Sequence, residues 1–202
     1  MAVGKAGHAM PDSDCRELRR ALFLDRDGVI NHDTGYLWRI ADFVFKDGIF
    51  DLCRLAVARR YRLIVVTNQA GIGRGLYSES DFHRLTAWMR RKFEQEGAPL
   101  TDVYHCPFHG QQGLGIYRKD SFDRKPNPGM LLKAARDHNV ALACSAIVGD
   151  KESDMEAGYR AGVPHRYLLH EQEPLVASVL ATHTVNSLTA LSRLLFEHDP
   201  VS

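Results

Sequence analysis

Asp25 and Asp27 stand one residue apart after the apolar run Leu22-Phe23-Leu24, and Gly28 follows. If the run is a strand, alternation points both carboxylates to the same side. Carboxylates crowded together repel, so a cation or a shared proton belongs with them. Four further residues offer complementary chemistry. Thr67 follows Leu63-Ile64-Val65-Val66, Lys125 lies between Arg124 and Pro126, Asp150 follows Val148-Gly149, and Asp154 comes four residues later. Each has a plain structural explanation: Thr67 can end a strand, Lys125 can be solvated, and Asp150 can cap a helix. Together, in this order, they fit one reaction. A carboxylate nucleophile splits the hydrolysis of a phosphate ester into two steps through an aspartyl-phosphate, and such esters are among the slowest to react unaided. Asp25 is the candidate nucleophile, and Asp27 the candidate acid and then base. Thr67 and Lys125 are candidates to hold phosphoryl oxygens as charge shifts. Magnesium takes one or two carboxylates with phosphate and water oxygens. Asp25 and Asp150 suit it, with a backbone carbonyl near Asp27. Asp154 is placed to orient Lys125 or a bound water.

These residues need a frame that brings strand ends together. Arg20 to Leu24 and Arg62 to Val66 read as buried parallel strands. Asp102 to His105, Cys144 to Val148 and Arg166 to Leu169 read as three more. Between them run amphipathic helices. One follows Asp47-Gly48 to Arg60, and one is capped by Ser78 with Asp81 three residues on. Others start at Pro128-Gly129, end near Ala161-Gly162, and follow Ser187. Val176 to Ala181 is a further helical candidate. Strands alternating with helices predict an α/β fold with a parallel, doubly wound sheet. In such a sheet ligands bind beyond the carboxyl ends of the strands. Asn31 to Phe45 and Cys106 to Asn127 lack periodicity and read as loops; one as long as the second is usually functional or mobile. Ala70 to Gly75 reads as a tight glycine-rich loop, but its spacing is not that of a dinucleotide fingerprint. Residues 1–19 are expected to be a flexible tail, and 20–202 a single domain.

Composition narrows the choice. A net charge of +1 over 202 residues argues against a strongly electrostatic nucleic-acid binder. No apolar run approaches the length of a membrane span, and the first residues lack the apolar core of a secretory signal. Four scattered cysteines fit a reducing compartment. The expectation is a cytoplasmic monomer acting on a small phosphorylated molecule, with no membrane partner.

The four segments Asp25-Arg26-Asp27-Gly28-Val29, Val66-Thr67-Asn68, Arg124-Lys125-Pro126 and Gly149 to Asp154 resemble the motifs of the haloacid dehalogenase superfamily of phosphatases. The resemblance covers about Leu22 to Val163. It implies a Rossmann-like sheet in strand order 5-4-1-2-3 with helices on both faces, magnesium dependence with Asp25, Asp27 and Asp150 at the metal, and no separate cap domain. Leu24 to Gly28, His32 to Tyr36, Thr67 to Gly75 and Arg124 to Met130 are similar to the group that includes D-glycero-D-manno-heptose 1,7-bisphosphate 7-phosphatases and histidinol-phosphatases. That likeness implies a sugar bisphosphate as substrate, in lipopolysaccharide-precursor chemistry. It implies contacts from Asp33, Thr34, Gly35, Tyr36, Asn68, Gln69, Ala70, Arg124 and Lys151. Arg124 suits a second, non-reacting phosphate, because guanidinium binds phosphate bidentately. Histidinol phosphate or another small phosphomonoester is the alternative. Relatives with a zinc loop carry Cys-x-His and then Cys-x-Cys before the Arg-Lys-Pro. Here Cys106 keeps the first place, but Phe108, Ser121 and Asp123 stand in the others. Zinc is therefore not expected, with Cys106, His109 and Asp123 as the alternative ligand set. A receiver-like signalling domain also places acids, Thr and Lys at strand ends. Asp27 distinguishes the readings, because a carboxylate there activates water and shortens the life of an aspartyl-phosphate.

Overall fold

In a computed structural model of the chain, residues 18–172 and 178–196 are described. Six strands, β1 (Ala21–Leu24), β2 (Arg62–Asn68), β3 (Leu100–Cys106), β4 (Ala146–Gly149), β5 (His165–Leu169) and β6 (His183–Val185), form one sheet in the order β3-β2-β1-β4-β5-β6. Every neighbouring pair is parallel. The expected order 5-4-1-2-3 is thus incomplete, because β6 adds a strand beside β5. β6 has three residues, paired from Tyr167 with His183 to Leu169 with Val185, and a run that short shows no alternation in sequence.

The helices are α1 (Ile49–Ala58), α2 (Ala70–Gly73), α3 (Glu79–Gln95), α4 (Gly129–His138), α5 (Glu152–Ala161) and α6 (Leu188–Phe196). Strand parity sorts them into two layers. Leu22, Leu24, Leu63, Val65, Ala146 and Val148 pack against α1, α3 and α6 through Leu52, Met89, Phe93 and Leu191. Phe23, Ile64, Val66 and Ile147 pack against α4 and α5 through Met130, Leu131, Ala134 and Ala157. With both faces covered, β1 needs no polar position, and Ala-Leu-Phe-Leu is wholly buried.

Local chemistry sets the helix ends. Ser78 accepts from Asp81 N–H and Asp81 accepts from Ser78 N–H, a reciprocal capping box. The Ser187 hydroxyl accepts from Ala190 N–H at 3.1 Å ahead of α6. Three local expectations fail. Ala70 to Gly73 is a helical turn rather than a loop, and Leu142–Cys144 is a 3-10 turn, so β4 starts later than the apolar run does. Residues 178–181 are not helical, and the rest of that expected helix lies outside the described residues, as do residues 1–17 of the expected tail. Arg19, expected in the tail, is exposed but tied to the domain by its carbonyl, which accepts from Ala141 N–H at 2.8 Å. Cys53 and Cys106 are buried thiols, whereas Cys144 is in a disulfide. Among the described residues no helix is long and apolar enough to cross a membrane.

Candidate active site

The chain leaves β1 at the switch point of the sheet, between β2 and β4. Asp25 N–H donates to Val148 O of β4 at 3.0 Å, so the backbone of Asp25 is still anchored to the sheet. Parity with Phe23 sends its side chain toward the α4 and α5 side. Lys125 comes from the segment ahead of α4. Asn68, at the end of β2, fixes its backbone from both sides: Oδ1 accepts from Lys125 N–H and Nδ2 donates to Lys125 O, each at 3.0 Å. The buried ammonium of Lys125 donates to Val66 O at 2.8 Å and lies 3.0 Å from Asp25 Oδ1 and 2.5 Å from Asp154 Oδ1. The ammonium thus makes one hydrogen bond, to Val66 O, and two ion pairs, with Asp25 and Asp154. Burial opposes the charge on Lys125, but Asp154 and Asp25 outweigh it and hold its pKa above the usual lysine value. Asp25 is displaced upward, to about 7, by burial; Lys125 opposes the shift, and Asp154, Asp150 and Asp27 add to it.

Asp25, Asp150 and Asp154 each bring a carboxylate oxygen within 4.8 Å of the others. Asp150 Oδ1 is buried without a hydrogen-bond partner. An orphaned carboxylate oxygen beside two further acids is a donor set that a hard dication satisfies, and magnesium fits it. Gly28 lets the Asp25–Asp27 turn approach this cluster. Its φ is +93°, and a Cβ there would fall 2.3 Å from Asp150 Oδ2, so the position requires glycine on both counts.

Asp27 is held apart from that cluster. Its carboxylate accepts from Arg26 Nη2 at 2.8 Å, Gln69 Nε2 at 3.0 Å and Asn31 Nδ2 at 3.1 Å. Any contribution of Asp27 to a metal would therefore come from its backbone. Gln69 Nε2 also donates to Thr67 Oγ1 at 2.8 Å, and Gln69 Oε1 accepts from the Tyr77 hydroxyl at 2.5 Å. One buried amide thus ties the candidate acid to the candidate phosphate-binding hydroxyl.

The cleft above this floor has a volume of about 570 Å³ and brings together Asp25, Asp27, Thr67, Lys125, Asp33, Gly35, Tyr36, Asn68, Gln69, Ala70, Arg124 and Lys151. Thr34 is not among its lining residues; it faces a separate depression formed by residues 34–39 and Asp42. The rim is stitched by exposed contacts. Asp33 accepts from Gly35 N–H at 2.9 Å and from Lys151 Nζ at 3.2 Å. Burial raises the pKa of Asp33, but these two partners win and hold it below the usual value. Arg74 donates to the Tyr36 hydroxyl and stacks over its ring. Arg124 Nη1 donates to Phe108 O at 3.2 Å.

Known proteins place this arrangement. Residues 122–190 match the model of the HAD-hydrolase-like family. The chain is 53% identical to D-glycero-alpha-D-manno-heptose-1,7-bisphosphate 7-phosphatase of Burkholderia mallei, over 83% of this chain and 89% of that protein. It is 42% identical to the corresponding beta-named enzyme of Vibrio cholerae, over 83% and 91%. A solved structure from Mesorhizobium loti, titled as a candidate HAD-like phosphatase, superposes with a TM-score of 0.79 at 35% identity, covering 88% of this chain and 85% of that one. The chain belongs to the heptose-1,7-bisphosphate 7-phosphatase family of haloacid dehalogenase-like hydrolases. It is a phosphoric monoester hydrolase.

Within this phosphatase family frame, several lining residues carry no direct mark in the sequence. Tyr77 is one, and the signal for it is indirect: a Cβ on Gly71 would meet the Tyr77 ring at 2.2 Å, so the Ala70-Gly71 pair is shaped by an aromatic partner six residues on. Gly71, Pro126 and Ser153 also line the cleft, without any chemical type that marks them in sequence. In the loop from Cys106 to Asp123, His109 Nδ1 accepts from Gln111 and Gln112 N–H. Cys106, His109 and Asp123 do not come together as a ligand group among the described residues.

Proposed function

We propose that this phosphatase removes the 7-phosphate of D-glycero-D-manno-heptose 1,7-bisphosphate through an aspartyl-phosphate. The observation that carries the reading is Lys125 Nζ between Asp25 and Asp154 at the switch point, in a chain 53% identical to an enzyme named for this reaction. Lys125 and Arg26 N–H both bind Asp25 Oδ1, which leaves Oδ2 to attack phosphorus. Asp27 delivers a proton to the departing sugar oxygen and then takes one from the water that attacks the acyl-phosphate. Thr67 and Lys125 hold phosphoryl oxygens, and Gln69 keeps Thr67 and Asp27 in register. Asp25, Asp150 and the backbone of Asp27 would hold magnesium, which neutralises repulsion between the phosphate and the nucleophile.

At the rim, Arg124 binds the phosphate that does not react, and Lys151, Asp33, Gly35, Tyr36, Asn68 and Ala70 shape the sugar site. We assign Thr34 no direct contact, since it lies outside the cleft. Residues 20–202 are read as one catalytic domain after a 1–19 tail, with loops instead of a separate cap. The enzyme is read as a cytoplasmic monomer: one chain supplies the whole cleft, and Cys53 and Cys106 are free thiols. The disulfide at Cys144 is the observation that opposes cytoplasmic residence.

The test is magnesium-dependent phosphate release from the two anomers of heptose 1,7-bisphosphate beside histidinol phosphate. The alpha anomer is expected to have the larger kcat/KM, since the relative with 53% identity is named for it. Activity on histidinol phosphate alone would keep the chemistry and overturn the substrate.

A further inference from the structure

Glu79 and His83 are four residues apart on α3, so they share one face of the helix. His105 reaches the same place from β3, where its register partner on β2 is Thr67. One ligand atom from each of Glu79, His83 and His105 lies within 4.8 Å of the other two. We propose that these three side chains form a second metal site, separate from the cleft, for a transition-metal dication of the zinc type.

The donor set suits that class of ion. Two imidazoles and one carboxylate are borderline-soft ligands, which favour zinc, cobalt or nickel over magnesium. Around tetrahedral zinc, ligand atoms about 2.0–2.1 Å from the metal stand roughly 3.3 Å apart. The cluster therefore has to contract by no more than about 1.5 Å between any two ligand atoms. The exposed His83 side chain can turn to supply that movement.

The other two ligands are already oriented. The His105 ring stacks on Phe82 with centroids 4.2 Å apart and planes at 30°. Burial lowers its pKa below the usual histidine value, with Glu79 opposing and His83 adding to the shift. The His83 ring stands edge-on to it at 5.6 Å and 88°. Glu79 Oε1 accepts from the Tyr117 hydroxyl at 3.1 Å, which fixes the carboxylate and leaves its second oxygen for a metal. A hydrogen bond of this kind to a ligating carboxylate is what supports a metal site from outside. Water would complete the coordination.

Such an ion would staple α3 to the edge strand β3. Through Tyr117 it would also reach the loop between β3 and α4, which carries Arg124. None of the three ligands belongs to the hydrolytic machinery, so the site stands or falls apart from the proposed substrate.

The experiment uses untagged full-length protein carrying Asp150→Asn, which removes one acid from the cleft cluster. Zinc is titrated into it by calorimetry, and into the same chain with His83→Ala added. His83 is exposed, and circular dichroism checks that both variants are folded. One equivalent bound with a micromolar or tighter Kd, weakened about 100-fold or more by His83→Ala, is the expected result. Glu79→Gln should also weaken binding by at least tenfold. No micromolar binding in the Asp150→Asn chain overturns the site. Equal binding with and without His83 overturns it too, by assigning the ion to other ligands.

Discussion

The floor and the rim of the cleft are built by different rules. On the floor, Thr67, Lys125 and Asp154 are each no more than 3% exposed, and Lys125 is held by one backbone hydrogen bond and two ion pairs. The positions of these groups follow from strand register and helix packing. At the rim, Tyr36 is 46% exposed, and Asp33, Gly35 and Lys151 are joined by short-range turn bonds and one exposed ion pair. The floor therefore carries chemistry that tolerates no displacement. The rim carries contacts that can change with the substrate while the sheet stays the same.

The sharpest break is expected at Asp25. Asp25→Asn removes the nucleophile and should lower turnover by roughly 10⁴-fold or more, with an unchanged far-ultraviolet dichroism spectrum. Asp27→Asn should separate the two steps. A phospho-enzyme should form slowly and persist, seen as a mass increase after acid quench. Rapid turnover in either variant would remove the acyl-phosphate mechanism. Lys125→Met tests the floor as structure. It leaves Asp25 and Asp154 buried without their shared cation, and breaking a buried pair in this way costs about 3–5 kcal/mol. A change in urea midpoint corresponding to less than about 1 kcal/mol would show that the ion pairs are not what fixes the floor.

The contrast also explains what was legible in the sequence. Asp25, Thr67, Lys125 and Asp150 could be read because each stands at the end of, or just ahead of, a strongly patterned element. Strand parity alone predicts that Asp25 and Asp27 leave β1 on the same side, but not that Arg26, Asn31 and Gln69 hold the Asp27 carboxylate away from the acid cluster. Those bonds depend on a turn around Gly28 and on a residue 42 positions away. Gln69, expected to contact substrate, does line the cleft, but its bonds to Thr67, Asp27 and Tyr77 carry no mark in the sequence. β6 was missed because three residues carry no period. The Glu79, His83 and His105 cluster was missed because its third member lies on another element, and only the pairing of β3 with β2 and the packing of α3 bring it near.

Moving outward, Arg124→Ala should raise KM by about 10-fold to 100-fold for a bisphosphate, as expected for loss of a charge-assisted hydrogen bond. For a monophosphate of the same sugar the increase should be much smaller. Equal increases would show that Arg124 binds the reacting phosphate or only supports Phe108 O, and the division between floor and rim would then move inward.

Lys151 is the smallest test and the one that locates the boundary. It lies 3.2 Å from Asp33 and 3.5 Å from Asp150, so it touches one rim residue and one acid of the floor. Burial disfavours its charge, but Asp150 and Asp33 win and hold its pKa above the usual lysine value. Its side chain is nevertheless 55% exposed, and exposed ion pairs contribute about 1 kcal/mol or less. Lys151→Ala should therefore shift the unfolding free energy by no more than about 1 kcal/mol. Its main effect should be on substrate affinity, a few-fold in KM with kcat nearly unchanged, because the Asp25–Lys125–Asp154 set does not depend on it. A large fall in kcat at saturating magnesium and substrate would mean that Lys151 acts on Asp150 during the reaction. In that case the floor would extend to the residue immediately before α5, and Asp33, tied to the same ammonium, would belong to the chemistry rather than to recognition.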